Sequence, residues 1–273
     1  MTRLGVIGKP SDWLIASMVD YSKVKSIFNI ELFDIEISEL IDIYNSKIFA
    51  KPDSFTILAH KNTFNQSEID KAYLLYLSIK DLVNKYNLKG LTIRCFDLLS
   101  TICTTSCLAF ALLNDEGIIA TCEGDIPSMI SMYLIQEKCG CPSFQANPSQ
   151  IYVESNEILL AHCTIPLKMC LSYNIDTHFE SRIGVAINGY LDHKDIYILK
   201  INNEFNDFVL LKGTVIETPF HQNLCRTQVK IKLNDEFSVN YFLTKPLGNH
   251  HIIFYDTDIN KLKAFLNTLK GKY

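Results

Sequence analysis

The fold is decided by residues 118–128, Ile118-Ile119-Ala120-Thr121-Cys122-Glu123-Gly124-Asp125-Ile126-Pro127-Ser128, because they take the chain from a buried strand into a helix. The apolar start is typical of a strand, and residues 129–138 carry apolar side chains at helical spacing. Gly124 permits a tight turn, Asp125 is a favourable N-cap residue, and proline is tolerated in a first helical turn. Two carboxylates therefore lie where a strand becomes a helix.

This position of the two carboxylates has a functional and a structural interpretation. In open α/β sheets, ligands collect at the carboxyl ends of strands, where Glu123 and Asp125 are predicted to lie. Alternatively, Asp125 only caps the helix and Glu123 only faces solvent. The local pattern does not choose between the two.

Size and composition indicate a globular protein without a nucleic-acid or membrane partner. The chain has 273 residues, enough for a large core, and 48% hydrophobic and 21% charged residues. A net charge of −4 does not favour binding to nucleic acid or to an anionic membrane. No apolar run approaches the roughly 20 residues of a membrane span, and residues 1–3 lead directly into a strand-like segment. We therefore expect a cytoplasmic protein.

Nine cysteines are many for such a chain. An odd number without a signal peptide argues against a disulfide framework, and no C-x-x-C pair offers a zinc site. Most of them are interpreted as small buried hydrophobic residues.

The first half of the chain alternates strand-like and helix-like segments. Strands are predicted over residues 4–7, 30–35, 55–59, 90–95 and 118–122. Helices are predicted over residues 13–19, 38–44, 68–86, 105–113 and 129–138. Ser11 or Asp12 would cap the first helix, and Ser67 with Asp70 would open the third. This alternation predicts a parallel sheet covered on both faces.

The second half is rich in short strands. They are predicted over residues 151–153, 158–163, 183–187, 195–201, 208–215, 228–233 and 251–255, with one helix over 259–269. Such spacing is typical of an antiparallel barrel or sandwich. We therefore predict an α/β protein with a Rossmann-like parallel α/β domain over 1–141. A β-rich, barrel-like domain with a C-terminal helix is predicted over 142–273.

Histidines at strand boundaries suggest a metal site. His162 ends one predicted strand, and His250 and His251 precede another. Glu123, Asp125, His162 and one of the pair His250 and His251 would together offer two oxygens and two nitrogens to a manganese, iron, cobalt or zinc ion. The alternative is that Asp125 only caps the helix and the histidines only make hydrogen bonds within the fold. These residues are far apart in sequence, so their spacing does not decide between the two interpretations.

Arg94 and Asp97 flank Cys95 at the end of another predicted strand. They would either reach a ligand or pair with each other.

Several motifs in order resemble the L-fucose and L-arabinose isomerase superfamily. They are Gly8-Lys9-Pro10-Ser11-Asp12-Trp13-Leu14-Ile15-Ala16-Ser17, Cys122-Glu123-Gly124-Asp125, Phe144-Gln145-Ala146-Asn147-Pro148, Leu160-Ala161-His162-Cys163 and Gly248-Asn249-His250-His251-Ile252-Ile253. The resemblance covers nearly the whole chain, as a fucose isomerase-like protein without the N-terminal α/β domain that those enzymes carry.

The resemblance implies a metal-dependent aldose–ketose isomerase that acts on a sugar or sugar derivative through an ene-diol, with Mn²⁺ held between its domains. It implies a homo-oligomer, a trimer or hexamer, in which a neighbouring subunit helps to close the site. The implied metal ligands are Glu123, Asp125, His162 and His251, and the implied catalytic residues are Glu123 and Asp125. The implied substrate contacts are His250, Arg94 and Trp13.

Two departures from the family pattern leave a second hypothesis open. Ala146 and Asn147 stand where the arabinose branch has a metal-binding glutamate, and neither is a base. Ser106 or Cys107 stands where the fucose branch has a catalytic glutamate. Either the two remaining carboxylates share ligand and base duties, or isomerisation is lost. In the latter case the chain is a non-catalytic carbohydrate-binding or assembly protein that keeps the isomerase fold.

Overall fold

The computed structural model describes residues 1–50, 57 and 64–270. A parallel sheet with the strand order β2-β1-β3-β4 is built by the first part of the chain. Its strands are β1 (Thr2–Ile7), β2 (Ile30–Ile35), β3 (Gly90–Ile93) and β4 (Ile119–Thr121). Because all four are parallel, their carboxyl ends meet at one edge. The chain order reverses between β1 and β3, which is the switch point where α/β sheets collect ligands.

Within the described residues, six helices accompany this sheet. They are α1 (Tyr21–Phe28), α2 (Ile37–Ala50), α3 (Gln66–Tyr86), α4 (Asp97–Thr101), α5 (Cys107–Asp115) and α6 (Ile126–Cys139). Asp20 caps α1, and Asp125 caps α6 as predicted. Asn65 rather than Ser67 caps α3, since its side chain accepts from the Ser67 amide. The predicted strand over 55–59 lies outside the described residues except for the buried Ile57.

The predicted helix over 13–19 is wrong, because residues 13–16 form bends and a turn and residues 17–19 have no regular secondary structure. The Ser17 hydroxyl donates to the Ser11 carbonyl and closes a loop. The Ile15 amide donates to the Asn249 side chain at 2.7 Å, which ties the loop to a distant segment. Tertiary contacts therefore use the polar groups that a helix would have paired internally.

The later strands form a closed antiparallel barrel in the order β10-β11-β6-β5-β12-β9. They are β5 (Phe144–Tyr152), β6 (Glu157–His162), β9 (Asp195–Ile201), β10 (Phe208–Glu217), β11 (Thr227–Leu233) and β12 (His251–Tyr255). Beside the barrel, β7 (Cys170–Asp176) pairs with β8 (Ala186–Leu191). Two further helices are α7 (Tyr241–Thr244) and α8 (Asn260–Asn267). The sequence does not predict β7, because Ile175 is its one buried residue and its apolar pattern is therefore weak.

Helix α6 joins the sheet to the barrel. It packs against β3 and β4 on one side and against β9, β12 and α8 on the other. Its residues from Ile126 to Met132 are all buried, as expected for a helix covered on several sides. The turn before α6 therefore lies at the junction of the two layers.

The mixed α/β class, with a parallel sheet and a closed antiparallel barrel, is confirmed. The Rossmann-like description holds in part: the sheet has a switch point but the order 2-1-3-4 rather than the full dinucleotide-binding order. The division at residue 141 stays a prediction. Within the ranges that the structure covers, every helix is too short or too polar to cross a membrane.

Candidate functional site

The site begins with an unusual turn between β4 and α6. Glu123 and Gly124 both adopt left-handed backbone angles, with φ of 63° and 64°. At Gly124, a Cβ atom would lie 2.7 Å from the Lys9 carbonyl oxygen and 2.9 Å from the Ser11 nitrogen. Only glycine fits at position 124, and a left-handed backbone is uncommon for a glutamate, so the surrounding structure must hold Glu123 in this conformation.

A glutamine from the barrel holds this turn. The Cys122 amide donates to Gln145 Oε1 at 2.8 Å, and Gln145 Nε2 donates to the Cys122 carbonyl at 3.3 Å. Both residues are buried, so these bonds are shielded from water. Because Gln145 lies on β5, the turn is fixed relative to the barrel strands that carry the histidines.

Three side chains converge beyond this turn: Glu123, His162 and His250. Glu123 Oε1 lies 3.8 Å from His162 Nε2 and 3.5 Å from His250 Nε2. One ligand atom from each residue lies within 4.8 Å of the others. Across the described ranges, no other three histidine, cysteine, aspartate or glutamate side chains approach one another this closely.

Asp125 stands behind His250 rather than beside the open site. Its Oδ1 accepts from the Ser128 amide at 2.9 Å, which is the helix cap. Its Oδ2 lies 2.9 Å from His250 Nδ1 and 3.4 Å from Lys200 Nζ. The side chains of Asp125, His250 and Lys200 are each at least 98% buried. The His250 Nδ1–H therefore donates to Asp125, and Nε2 points towards Glu123.

The oppositely charged groups of this cluster stabilise one another's ionised forms. Burial raises the pKa of Glu123, but the contacts with His162 and His250 outweigh it and hold that pKa far below its usual range. Burial likewise opposes ionisation of Asp125, while Lys200 and His250 keep its pKa low. For His250, burial is outweighed by the two carboxylates, which raise its pKa to about 9.

The predicted ligand His251 does not join the group, and His250 takes its place. His251 Nε2 contacts the Tyr241 hydroxyl at 3.0 Å, and Nδ1 lies 3.3 Å from the Asn249 carbonyl. Burial and the nearby Lys200 lower the pKa of His251 to about 3, so it stays neutral. Successive residues of a strand face opposite sides, and β12 turns His251 away from Glu123.

The predicted substrate contacts Trp13 and Arg94 lie at the edge of the site. Trp13 Nε1 donates to Glu123 Oε2 at 3.3 Å, and its ring is about half exposed. The Arg94 guanidinium stacks on this ring at 4.6 Å and pairs with Asp12 and Asp97 at 3.4 Å each. The predicted pairing of Arg94 with Asp97 thus exists, and Arg94 supports Trp13.

A cleft opens beside Glu123 and His162. Its further lining residues are Cys95, Phe96, Leu99, Thr105, Ser106, Cys107, Cys122, Asn147, Cys163, His178, Glu180 and Cys225. The sequence did not place His178, Glu180 or Cys225 at the site. The segment after β7 carries no periodic pattern, so no local signal would have placed it here.

The cysteines are free thiols, as expected. Four of the nine are buried, Cys95, Cys107, Cys122 and Cys163, four are partly buried and Cys103 is exposed, so the prediction that most of them are buried is wrong. The Cys95 and Cys122 sulfurs lie 2.8 Å apart.

The residues present fit a divalent cation. His250 Nε2 is buried and has no hydrogen-bond partner among the described residues, although buried polar atoms are normally paired. A carboxylate oxygen and two imidazole nitrogens form a donor set for a first-row divalent metal, with positions left open for a substrate. Asp125 would act as the carboxylate that orients a metal-binding histidine.

Comparison with known proteins finds no matching family model, but it finds distant relatives. A sulfoquinovose isomerase from Alkalicoccus urumqiensis is 19% identical over 247 residues, which are 84% of this chain and 54% of that protein. One from Priestia megaterium is 20% identical over 247 residues, with 85% and 54% covered. A third, from Clostridium sp. (strain MSTE9), is 32% identical over 90 residues, or 33% of this chain and 20% of that protein.

The chain is thus distantly similar, at about 20% identity, to proteins named sulfoquinovose isomerase. Two of these relatives match most of this chain, and the chain spans about half of their length. The narrower resemblance to the L-fucose and L-arabinose isomerase superfamily stays a prediction.

Proposed function

We propose that this chain is the metal- and substrate-binding part of an aldose–ketose isomerase acting on a sugar. The observation that carries the proposal is the cluster of Glu123, His162 and His250, in which the buried His250 Nε2 faces Glu123 Oε1 at 3.5 Å but makes no hydrogen bond within the described chain. The cluster lies at the carboxyl edge of a parallel sheet, where such folds bind ligands. The distant similarity to proteins named sulfoquinovose isomerase supports the same class of reaction.

Glu123, His162 and His250 would hold the cation, with manganese as the proposed metal. Such a cation binds neighbouring oxygens of a sugar and polarises its carbonyl group. Asp125 fixes the orientation of His250, and Lys200 keeps Asp125 charged. Asp125 does not line the cleft, so its proposed role changes from base to positioning residue.

Isomerisation also needs a group that moves a proton between C1 and C2 of the sugar. Glu123 and Glu180 are the carboxylates that line the cleft among the described residues. Glu123 is engaged with two imidazoles, whereas Glu180 is exposed at the rim. We therefore propose Glu180 as the proton carrier that replaces the missing second carboxylate.

A non-catalytic sugar-binding protein is the alternative function. It is favoured by Ser106 and Cys107, which stand where the resemblance places a catalytic glutamate. The two functions differ in one measurable event. Only an isomerase exchanges the C2 proton of a bound sugar with solvent.

The test is proton NMR of aldohexoses, sulfoquinovose included, incubated with the Mn²⁺-loaded chain in D₂O. The isomerase proposal predicts loss of the C2 proton signal with the wild-type chain and none with Glu123→Gln. Glu180→Gln should bind the sugar but exchange it much more slowly. Sugar binding without exchange by the wild-type chain would instead establish the non-catalytic alternative.

We also propose a homo-oligomer in the cytoplasm, as the resemblance implies. The loop that carries Trp13 exposes Ile15 and Met18, which are 69% and 68% accessible. Exposed apolar side chains next to a cleft are typical of a surface that a second chain covers. Light scattering after size exclusion measures the state, and a monomer would contradict this part of the proposal.

A further inference from the structure

Two thiols meet at the carboxyl edge of the parallel sheet, beside the proposed metal site. Cys95 follows β3, and Cys122 follows β4, the neighbouring parallel strand. Their sulfur atoms lie 2.8 Å apart. Non-bonded heavy atoms normally pack at roughly 3.5–4.0 Å, whereas the two sulfurs of a disulfide lie about 2.05 Å apart. The two thiols are therefore closer than packing alone requires, and a bond between them needs only a small further approach.

The backbone next to the two cysteines is compatible with a disulfide. The Gly124 amide donates to the Ile93 carbonyl at 3.0 Å, so the turn after β4 stays paired with the end of β3. Neighbouring strands lie about 4.8 Å apart, and the Cα atoms of bridged cysteines lie roughly 4.4–6.8 Å apart. Two cysteines at the ends of adjacent strands can therefore be joined while the sheet keeps its pairing.

Both cysteines line the cleft that also contains Glu123 and His162. Cys95 is 9% exposed and Cys122 is 5% exposed, which is too little for contact with the active site of a redox protein. A small molecule that enters the cleft meets no such restriction. The chemistry of the pair is therefore open to small oxidants rather than to protein partners.

The two cysteines belong to the two segments that hold the Glu123 carboxylate. One of them directly precedes Glu123, and the other lies between Arg94 and Phe96. The Arg94 guanidinium stacks on the Trp13 ring at 4.6 Å, and the Phe96 ring packs against it at 5.7 Å. Trp13 Nε1 in turn donates to Glu123 Oε2 at 3.3 Å. A bond between the two sulfurs would therefore join the turn that carries Glu123 to the segment that supports its partner Trp13.

We propose that Cys95 and Cys122 are a redox-active pair that a hydroperoxide oxidises to a reversible disulfide, which clamps the turn that carries Glu123. Glu123 has a left-handed backbone, which the surrounding structure must hold in place. The disulfide adds a covalent restraint next to that residue. In a reducing compartment such a bond is transient and senses the redox state rather than serving as a permanent crosslink.

The oxidation balances with hydrogen peroxide as the co-reactant. One sulfur, as its thiolate, attacks a peroxide oxygen, the O–O bond breaks and hydroxide leaves, so that the cysteine becomes a sulfenic acid. The second sulfur then displaces hydroxide from the sulfenic acid, forms the S–S bond and gives up its proton. In sum, two thiols and one peroxide give one disulfide and two waters. Exchange with a small dithiol restores both thiols.

The test maps the disulfide in the full chain after treatment with hydrogen peroxide and alkylation of the remaining thiols. Digestion with trypsin and a glutamyl protease cuts the chain after Arg94 and Glu116, which places the two cysteines on different peptides. We expect these peptides to be crosslinked, and dithiothreitol should separate them. Tandem mass spectrometry assigns the bond to Cys95 rather than to Cys103 or Cys107 of the same peptide.

Oxidation should also make the turn more stable. A disulfide of typical strength raises the melting temperature of a chain of this size by about 5 °C or more. Hydrogen exchange of the Gly124 amide, which is paired with the Ile93 carbonyl, should slow roughly 10-fold or more. Both changes should disappear after reduction with dithiothreitol.

Cys107→Ala is the matched control. Cys107 is likewise buried and lines the same cleft, but its thiol contacts Cys163 instead. This variant should keep the crosslink and the rise in melting temperature. Cys95→Ala and Cys122→Ala should lose both effects. If one of these two variants fails to fold, the other variant and the disulfide map of the wild type still decide.

Each contrary outcome overturns a stated part of the proposal. Free Cys95 and Cys122 after peroxide treatment would overturn the redox-active pair, as would a crosslink from Cys163 to Cys107 or Cys225 in its place. A crosslink between the proposed pair that lowers the melting temperature or speeds exchange at Gly124 would overturn the clamp. None of these measurements uses a metal or a sugar, so failure of the isomerase proposal would leave their results unchanged.

Discussion

Replacing Asp125 by asparagine tests whether this residue prepares His250 for metal binding. Asparagine is as good an N-cap as aspartate, so the bond from the Ser128 amide and the start of α6 are preserved. The amide nitrogen would take the place of Oδ2, which lies 2.9 Å from His250 Nδ1. An amide N–H cannot accept the Nδ1 proton. His250 would then carry its proton on Nε2, the atom that faces Glu123.

The expected loss follows from the behaviour of residues that orient metal ligands. Removing such a partner weakens metal binding about 10- to 100-fold, or about 1.4 to 2.7 kcal/mol. Asp125→Asn also leaves the buried Lys200 without its carboxylate, which we expect to cost about 3 kcal/mol of stability. The assay is therefore titration of free Mn²⁺ by electron paramagnetic resonance, at a temperature where circular dichroism shows the variant to be folded.

Two further variants separate orientation from general damage. Ser131→Ala alters the same helix, where the hydroxyl donates to the Pro127 carbonyl at 2.7 Å without contact to His250. Lys200→Met removes the buried cation, but the contact with His250 at 2.9 Å still favours the charged form of Asp125. Both should keep Mn²⁺ affinity within a few-fold of wild type. If Asp125→Asn also binds Mn²⁺ as the wild type does, while His250→Ala does not bind it, the orienting role is refuted.

Three other perturbations follow from the same structure. Glu123→Gln should abolish Mn²⁺ binding in the same titration, and wild-type affinity would contradict its role as a ligand. Gly124→Ala should lower the free energy of unfolding by about 2 kcal/mol or more, because φ is 64° and the new Cβ would meet the Lys9 carbonyl. Urea unfolding measures this change, and an unchanged free energy would refute the close approach. His251 has a folded pKa of about 3 against about 6.5 when unfolded, so the unfolded chain binds the proton first as pH falls. Between pH 7 and pH 5, the free energy of unfolding of the wild type should therefore fall by about 2 kcal/mol more than that of His251→Gln. Urea unfolding at the two pH values measures both changes, and an equal fall in the two proteins would refute the linkage.

Elements with strong local signals were predicted well. The apolar period of α3 and the β-branched runs of β2, β9 and β12 place these elements within two residues of their observed bounds. Residues 13–19 show the limit of this reasoning. Their composition permits a helix, but Asn249 takes the Ile15 amide, and a contact between residues so distant in sequence leaves no local pattern.

For the candidate site, the sequence alone determined the turn. A carboxylate pair at the edge of a parallel sheet is predicted from Glu123, Gly124 and Asp125, which lie between an apolar strand and an amphipathic segment. This prediction is possible because helix capping and glycine geometry are local properties. His162 at the end of β6 was predicted in the same way.

Only the tertiary structure decided which side chains face one another. His250 and His251 are neighbours, and the run that follows them is buried on both faces, so the apolar pattern does not show which histidine faces which side. The register of β12 turns Ile253 towards the barrel interior, and Ile252 and Phe254 towards α6. His250 accordingly meets Asp125 at the start of that helix, while His251 packs against Tyr241. The physical reason is the two-residue period of a strand, whose phase is set by pairing with distant strands.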